Sequence, residues 1–131
     1  MAQSAIGAAV GVVDGMRIGP DVAPSWRAES PIRIPGIEET LPSTRSAVRS
    51  VLARSWMHRR LWLNDPDCLM ARRSDTKLSA QEARTLAIAI AATGGMLLFS
   101  DDWRSLDAAG RALVHDTLAA ARAVDGLGLP S

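Results

Sequence analysis

Four residues offer the chemistry in this chain: Arg17 and Asp21, four apart, and Asp65 and Asp67, two apart. The first pair lies in Val12–Asp21, where Val12, Val13, Met16 and Ile18 read as a short buried strand. Gly19-Pro20 ends it, because proline brings no N–H to a ladder. An arginine and a carboxylate thereby reach the carboxyl end of one strand, the end at which α/β enzymes place their chemistry. A salt bridge that merely fixes a loop explains the same pair.

Asp65 and Asp67 flank Pro66 after Leu61-Trp62-Leu63, a second strand-like run. Carboxylates in such turns commonly accept backbone N–H groups, and that turn-fixing role is the preferred reading. Metal binding needs further converging ligands that the sequence does not supply. Asp101 and Asp102 close a third apolar run, Met96–Phe99. Trp26, in the proline-rich stretch 22–40, is either a binding platform or a plug at the rim of the core. Cys68 is the single cysteine, so neither an intrachain disulfide nor a cysteine-based zinc site can be built from it.

The elements that position these groups alternate. Residues 1–11 read as a loop. A helix opens at Pro42-Ser43 and runs to about His58, with Ala47, Val48, Val51, Leu52, Ser55 and Trp56 on its buried face. Ser79-Ala-Gln-Glu82 is a capping box. The helix behind it, through Leu86, Ile88, Ile90 and Ala91, is apolar almost all round, and Gly94-Gly95 end it. Ser105 or Asp107 starts a last helix to about Val124, stopped by Gly126 and Gly128. Strand and helix thus follow each other three times, which means parallel strands with crossover helices. The fold class is α/β, with three βα units where a closed barrel needs eight.

At 131 residues the chain is one domain or less, and 47% hydrophobic residues exclude wholesale disorder. A net charge of +1 gives no field toward nucleic acid or an anionic membrane. The arginines along the first helix, Arg45, Arg49, Arg54 and Arg59, read as a solvated face. No run reaches the ~18 apolar residues of a membrane span, and the start lacks the basic region of a signal peptide. A reducing, cytoplasmic setting fits the lone cysteine.

Taken together, the motifs resemble the catalytic domain of glycoside hydrolase family 36, the α-galactosidases of the melibiase group. The matching stretches are Asp14–Trp26, Pro42–Arg45, Met57–Leu69 and Leu78–Asp102. The Asn-Asp-Pro-Asp turn and the Ser-Asp-Asp strand end are also similar to family 27. The resemblance implies a partial (β/α)8 TIM barrel, units six to eight, incomplete on its own. It implies a retaining glycosidase acting on α-galactoside carbohydrates without metal or cofactor. Asp21 corresponds to the acid/base, and Arg17 to the arginine beside it, positioning a carboxylate or a sugar hydroxyl. Trp26 is the second candidate for contact with substrate. Asp65, Asp67, Asp101 and Asp102 correspond to supporting strand ends.

The family's nucleophile lies in a Lys-x-Asp motif on an earlier strand, and no such motif occurs here. The glycine- and cysteine-containing loop before Asp14, strands one to five, the N-terminal β-sandwich and the C-terminal β-domain are likewise absent from this sequence. The expectation is a barrel fragment, inactive alone, whose partner is the missing part of the barrel. Two other readings stay open: a non-catalytic half-barrel that completes a partner, and an interaction module that has lost the reaction. Within the family, the alternatives are α-N-acetylgalactosaminidase activity and α-galactosyl transfer.

Overall fold

A computed structural model describes residues 6–30, 36 and 40–127. It is a small mixed α/β structure with short strands in two parallel two-stranded sheets. Strand β1 (Gly15–Arg17) pairs with β2 (Leu63–Asp65), Gly15 opposite Leu63 and Arg17 opposite Asp65. Strand β3 (Cys68–Leu69) pairs with β4 (Leu98–Phe99), Cys68 opposite Leu98. Helix α2 (Thr44–Arg54) connects β1 to β2, and α3 (Ala80–Ala92) connects β3 to β4. Helix α4 (Ala108–Gly126) follows β4. The alternation and the parallel pairing expected from the sequence are present; closure into a barrel is not part of what these residues form.

The break between β2 and β3 has a local cause. Pro66 has no N–H to donate, and Asp67 takes a left-handed φ of 74°. One chain segment, 63–69, therefore pairs with β1 before the break and with β4 after it.

Several boundaries differ from the sequence reading. Residues 6–9 form a single helical turn, α1 (Ile6–Ala9), rather than loop. The amides of Val12 and Val13 both donate to the Ala9 carbonyl, and Gly11 at φ 76° turns the chain out of it. The Val12-Val13 pair is consequently not strand, and Val12 is exposed. The second strand is shifted two residues along from Leu61-Trp62-Leu63, because Trp62 makes only an isolated bridge to His58. Asn64 and Asp65 join the ladder since both side chains find partners: Asn64 Nδ2 donates to the Arg54 carbonyl and Asp65 takes Arg17. Strand β3, two residues long, is too short to show a period.

Helix α2 begins where expected, with Ser43 Oγ accepting the Ser46 amide, and continues into a 3₁₀ turn at Ser55–Met57. Ala47, Val48 and Val51 are buried, whereas Leu52 and Trp56 are exposed. The buried stripe is thus narrower than the apolar spacing implies, because among the helices α2 packs on α3. The Ser79–Glu82 capping box is complete at both bonds. Helix α3 lies between α2 and α4, but Ile88 projects to solvent, so it is not enclosed all round. Asp107 caps α4 through the Gly110 amide, with a separate 3₁₀ turn at Trp103–Ser105 before it. Gly128, expected to stop α4, lies outside the described residues.

The main core joins Val48, Leu69, Leu86, Ala87, Ala89 and Ile90, and a smaller cluster joins Ala9, Met57 and Trp62. No helix of the described residues is long and apolar enough to cross a membrane.

His58 ties the α2 end to β2, its Nδ1 accepting the Asn64 amide at 3.2 Å. Burial, helped by the nearby Arg59 charge, holds the imidazole below its ordinary value. Protonation removes the acceptor, so this contribution is complete above the ordinary imidazole pKa of about 6.5. It is lost as pH falls through that value toward the lower folded one. We expect the melting temperature to fall by a few degrees between pH 7.5 and pH 5. His58→Gln should flatten that slope, and an equal slope in both proteins would contradict the assignment.

Candidate active site

Arg17 is the last residue of β1, and Asp65, its partner in register, is the last of β2. Parallel pairing therefore brings a guanidinium and a carboxylate to the same end of adjacent strands. Arg17 Nε donates to Asp65 Oδ2 at 3.2 Å. Its Nη1 donates to Asp21 Oδ1 at 3.1 Å and lies 2.9 Å from Asp67 Oδ2. One cation thus meets three carboxylates. Partial burial pulls the guanidinium down, but the Asp65 hydrogen bond and the charges of Asp65, Asp67 and Asp21 outweigh it, and the net shift is upward. Arg17 is a permanent cation here.

The three carboxylates are not equivalent. Asp67, with a side chain 11% exposed, accepts the Val22 amide on Oδ2 at 2.8 Å. Asp65, 20% exposed, accepts the Asp67 amide on Oδ1 at 2.8 Å. The Asp65 bond fixes its own turn, whereas the Asp67 bond reaches across 45 residues to the segment after β1. Asp21 differs: its side chain is 75% exposed and, among the described residues, is held through Arg17. Asp21 is thus the carboxylate free to meet a bound molecule, whereas Asp65 and Asp67 each hold a backbone amide as well as Arg17.

The backbone around Asp21 is fixed by the start of α2. The Ser43 amide donates to the Asp21 carbonyl, Thr44 to Ser25, and Arg45 to Trp26, while Thr44 Oγ1 donates to the Ala23 carbonyl. The orphan amides of a helix N-terminus thereby hold the loop that carries Asp21. Arg54 Nη1 adds a bond to the Ile18 carbonyl. Trp26 is half-buried and joined to α2 through its carbonyl; among the described contacts, none joins its ring to the Arg17 cluster.

The second acidic pair, Asp101 and Asp102, serves elsewhere. Asp101, with no side-chain exposure, accepts the Ala71 and Arg72 amides at 2.7 and 3.0 Å and pairs with Arg72 Nη1 at 3.2 Å. Asp102 accepts the Arg104 amide, which together with the Arg104 side chain lowers its pKa. Cys68, beside Asp67 and Ser100, has its thiol pushed up by burial, which keeps it protonated and a poor nucleophile. Among the described residues, no group of three or more His, Cys, Asp or Glu side chains is placed to hold a metal ion. The sequence placed Asp65 and Asp67 in a supporting turn but did not bring them to Arg17. The register pairing of two strand ends was the missing signal.

No protein-family model matches the sequence. Among solved structures, the chain superposes on the α-galactosidase of Thermus thermophilus in complex with p-nitrophenyl α-D-galactopyranoside. The TM-score is 0.71 at 33% identity, over 86% of this chain and 23% of that one. The fold is α-galactosidase-like. The same Thermus enzyme in complex with stachyose gives a TM-score of 0.71 at 32% identity, over 85% of this chain and 24% of that one. The chain thus spans about a quarter of the length of the solved structures it matches.

Proposed function

We propose that this chain supplies the acid/base side of a retaining α-galactosidase site of the glycoside hydrolase family 36 type. In this reading its three βα units are units six to eight of a (β/α)8 barrel, and the remainder of the barrel brings the nucleophile. The observation that carries it is the exposed Asp21 carboxylate, held by Arg17 beside two tied carboxylates, in a chain of which 86% superposes on an α-galactosidase.

A retaining glycosidase sets two carboxyl groups ~5–5.5 Å apart across the anomeric carbon. Asp21, protonated, gives its proton to the departing glycosidic oxygen as the bond to the anomeric carbon breaks and the nucleophile's carboxylate closes on that carbon. Asp21, now ionised, takes a proton from the water that releases the galactosyl group. In this reading Arg17 orients the Asp21 carboxylate in both steps, a role supported by its 3.1 Å bond to Asp21 Oδ1. Trp26, on the loop held by α2, is the further sugar contact proposed. Leu52, Trp56, Phe99 and Trp103 are among the exposed large apolar side chains, and contact with the rest of a barrel is one way for them to be covered.

The test is a hybrid in which this chain replaces the matched quarter of the Thermus enzyme. Hydrolysis of p-nitrophenyl α-D-galactopyranoside with retention of configuration is expected. A folded hybrid without hydrolysis would refute the reading.

A further inference from the structure

We propose that Asp67 is the positioning residue for the Asp21 carboxylate, gripping it from two sides across the gap between neighbouring strand ends; this rests on the reading of Asp21 as the acid/base. Asp67 Oδ2 accepts the amide of Val22, the residue directly after Asp21, at 2.8 Å. The same oxygen lies 2.9 Å from Arg17 Nη1, and that nitrogen donates to Asp21 Oδ1 at 3.1 Å. One carboxylate oxygen thus fixes both the main chain on the far side of Asp21 and the guanidinium that holds its side chain.

Asp67 is itself held in place. Its amide donates to Asp65 Oδ1 at 2.8 Å, and its backbone stands at φ 74°, a left-handed conformation that a non-glycine residue keeps only when its surroundings hold it. The Asp65 bond and the Arg17 ion pair hold it there. With 11% of its side chain exposed against 75% for Asp21, Asp67 acts through Arg17 and Val22. A general acid displaced from the leaving oxygen loses proton transfer while the rest of the site is intact, and that transfer is worth about 10²–10⁴-fold.

Two measurements test this. In the full chain, Asp67→Ala should speed hydrogen exchange at the Val22 amide by about tenfold or more, with the Glu82 amide of the α3 capping box unchanged. Equal Val22 exchange in both proteins would overturn the proposal. In the hybrid, Asp67→Asn keeps an acceptor for Val22 and removes the charge facing Arg17. Its kcat/KM should fall about a hundredfold on an oligosaccharide, whose sugar leaving group needs the proton. On an aryl α-galactoside, whose leaving group departs as a stable anion, the fall should be less than about tenfold. Equal losses on the two substrates, or none, would overturn it. Asp21→Asn must show the same split. If it does not, the acid/base reading has failed, and Val22 exchange still decides whether Asp67 grips this segment.

Discussion

Asp101→Ala is expected to lower the stability of the chain by about 3 kcal/mol, a large part of the margin of a small domain. The Asp101 side chain is fully buried and collects three donors: the Ala71 amide, the Arg72 amide and Arg72 Nη1. Truncation leaves two amides without their acceptor, each orphaned donor costing about 1–3 kcal/mol. The Arg72 side chain is 30% exposed, so water recovers part of its loss and the ion pair adds little to that sum. The damage extends beyond one loop. Gly110 in the first turn of α4 sits so close to Ala71 that a Cβ there would lie 2.7 Å from the Ala71 carbonyl oxygen. Loosening residues 71–72 therefore loosens the seat of α4. Urea unfolding should show the midpoint drop, with Asp101→Asn intermediate because it keeps one acceptor. An unchanged midpoint for Asp101→Ala would contradict the assignment.

Asp21→Gly should do the opposite: leave the fold and remove the reaction. The side chain is 75% exposed, and the anchor that α2 provides uses the Asp21 carbonyl, which the variant retains. Stability should stay within about 1 kcal/mol of the parent, the cost of the backbone freedom that glycine adds to the unfolded chain. In the hybrid enzyme, kcat/KM on an oligosaccharide should fall by about 10³–10⁴-fold, near the upper reach of general acid catalysis. Steady-state kinetics beside a melting curve checks both halves. A loss of activity that merely follows a loss of fold would contradict the role of Asp21.

The sequence carried the elements whose signals are local. The Ser79–Glu82 box, Ser43 at the start of α2 and the three-and-four spacing of Ala47, Val48 and Val51 each show their physics within one turn of helix. Strand ends were harder to place. Leu61-Trp62-Leu63 reads as the strand because it is apolar, yet Asn64 and Asp65 take two of its three places, with Asn64 Nδ2 bonded to the Arg54 carbonyl and Asp65 to Arg17 from distant segments. Leu52 and Trp56 fit the buried period of α2 and are exposed, since periodicity reports which face is apolar and not whether anything covers it. The same holds for the site. Arg17 and Asp21 were legible as a pair because they lie four residues apart. Asp67 was not legible as their third member, because its contacts cross 45 to 50 residues of chain and depend on the β1–β2 register.

The most direct measurement is the configuration of the product when azide is added to the Asp21→Gly hybrid acting on an aryl α-galactoside. Azide needs no general base, so it should attack the anomeric carbon of the galactosyl-enzyme, displace the nucleophile's carboxylate and restore turnover. Two inversions make the product α-galactosyl azide, which NMR identifies by its anomeric coupling. Rescue with α configuration is the predicted result. Formation of β-galactosyl azide would mean that Asp21 had been the nucleophile, and no rescue at all would mean that it is not the acid/base.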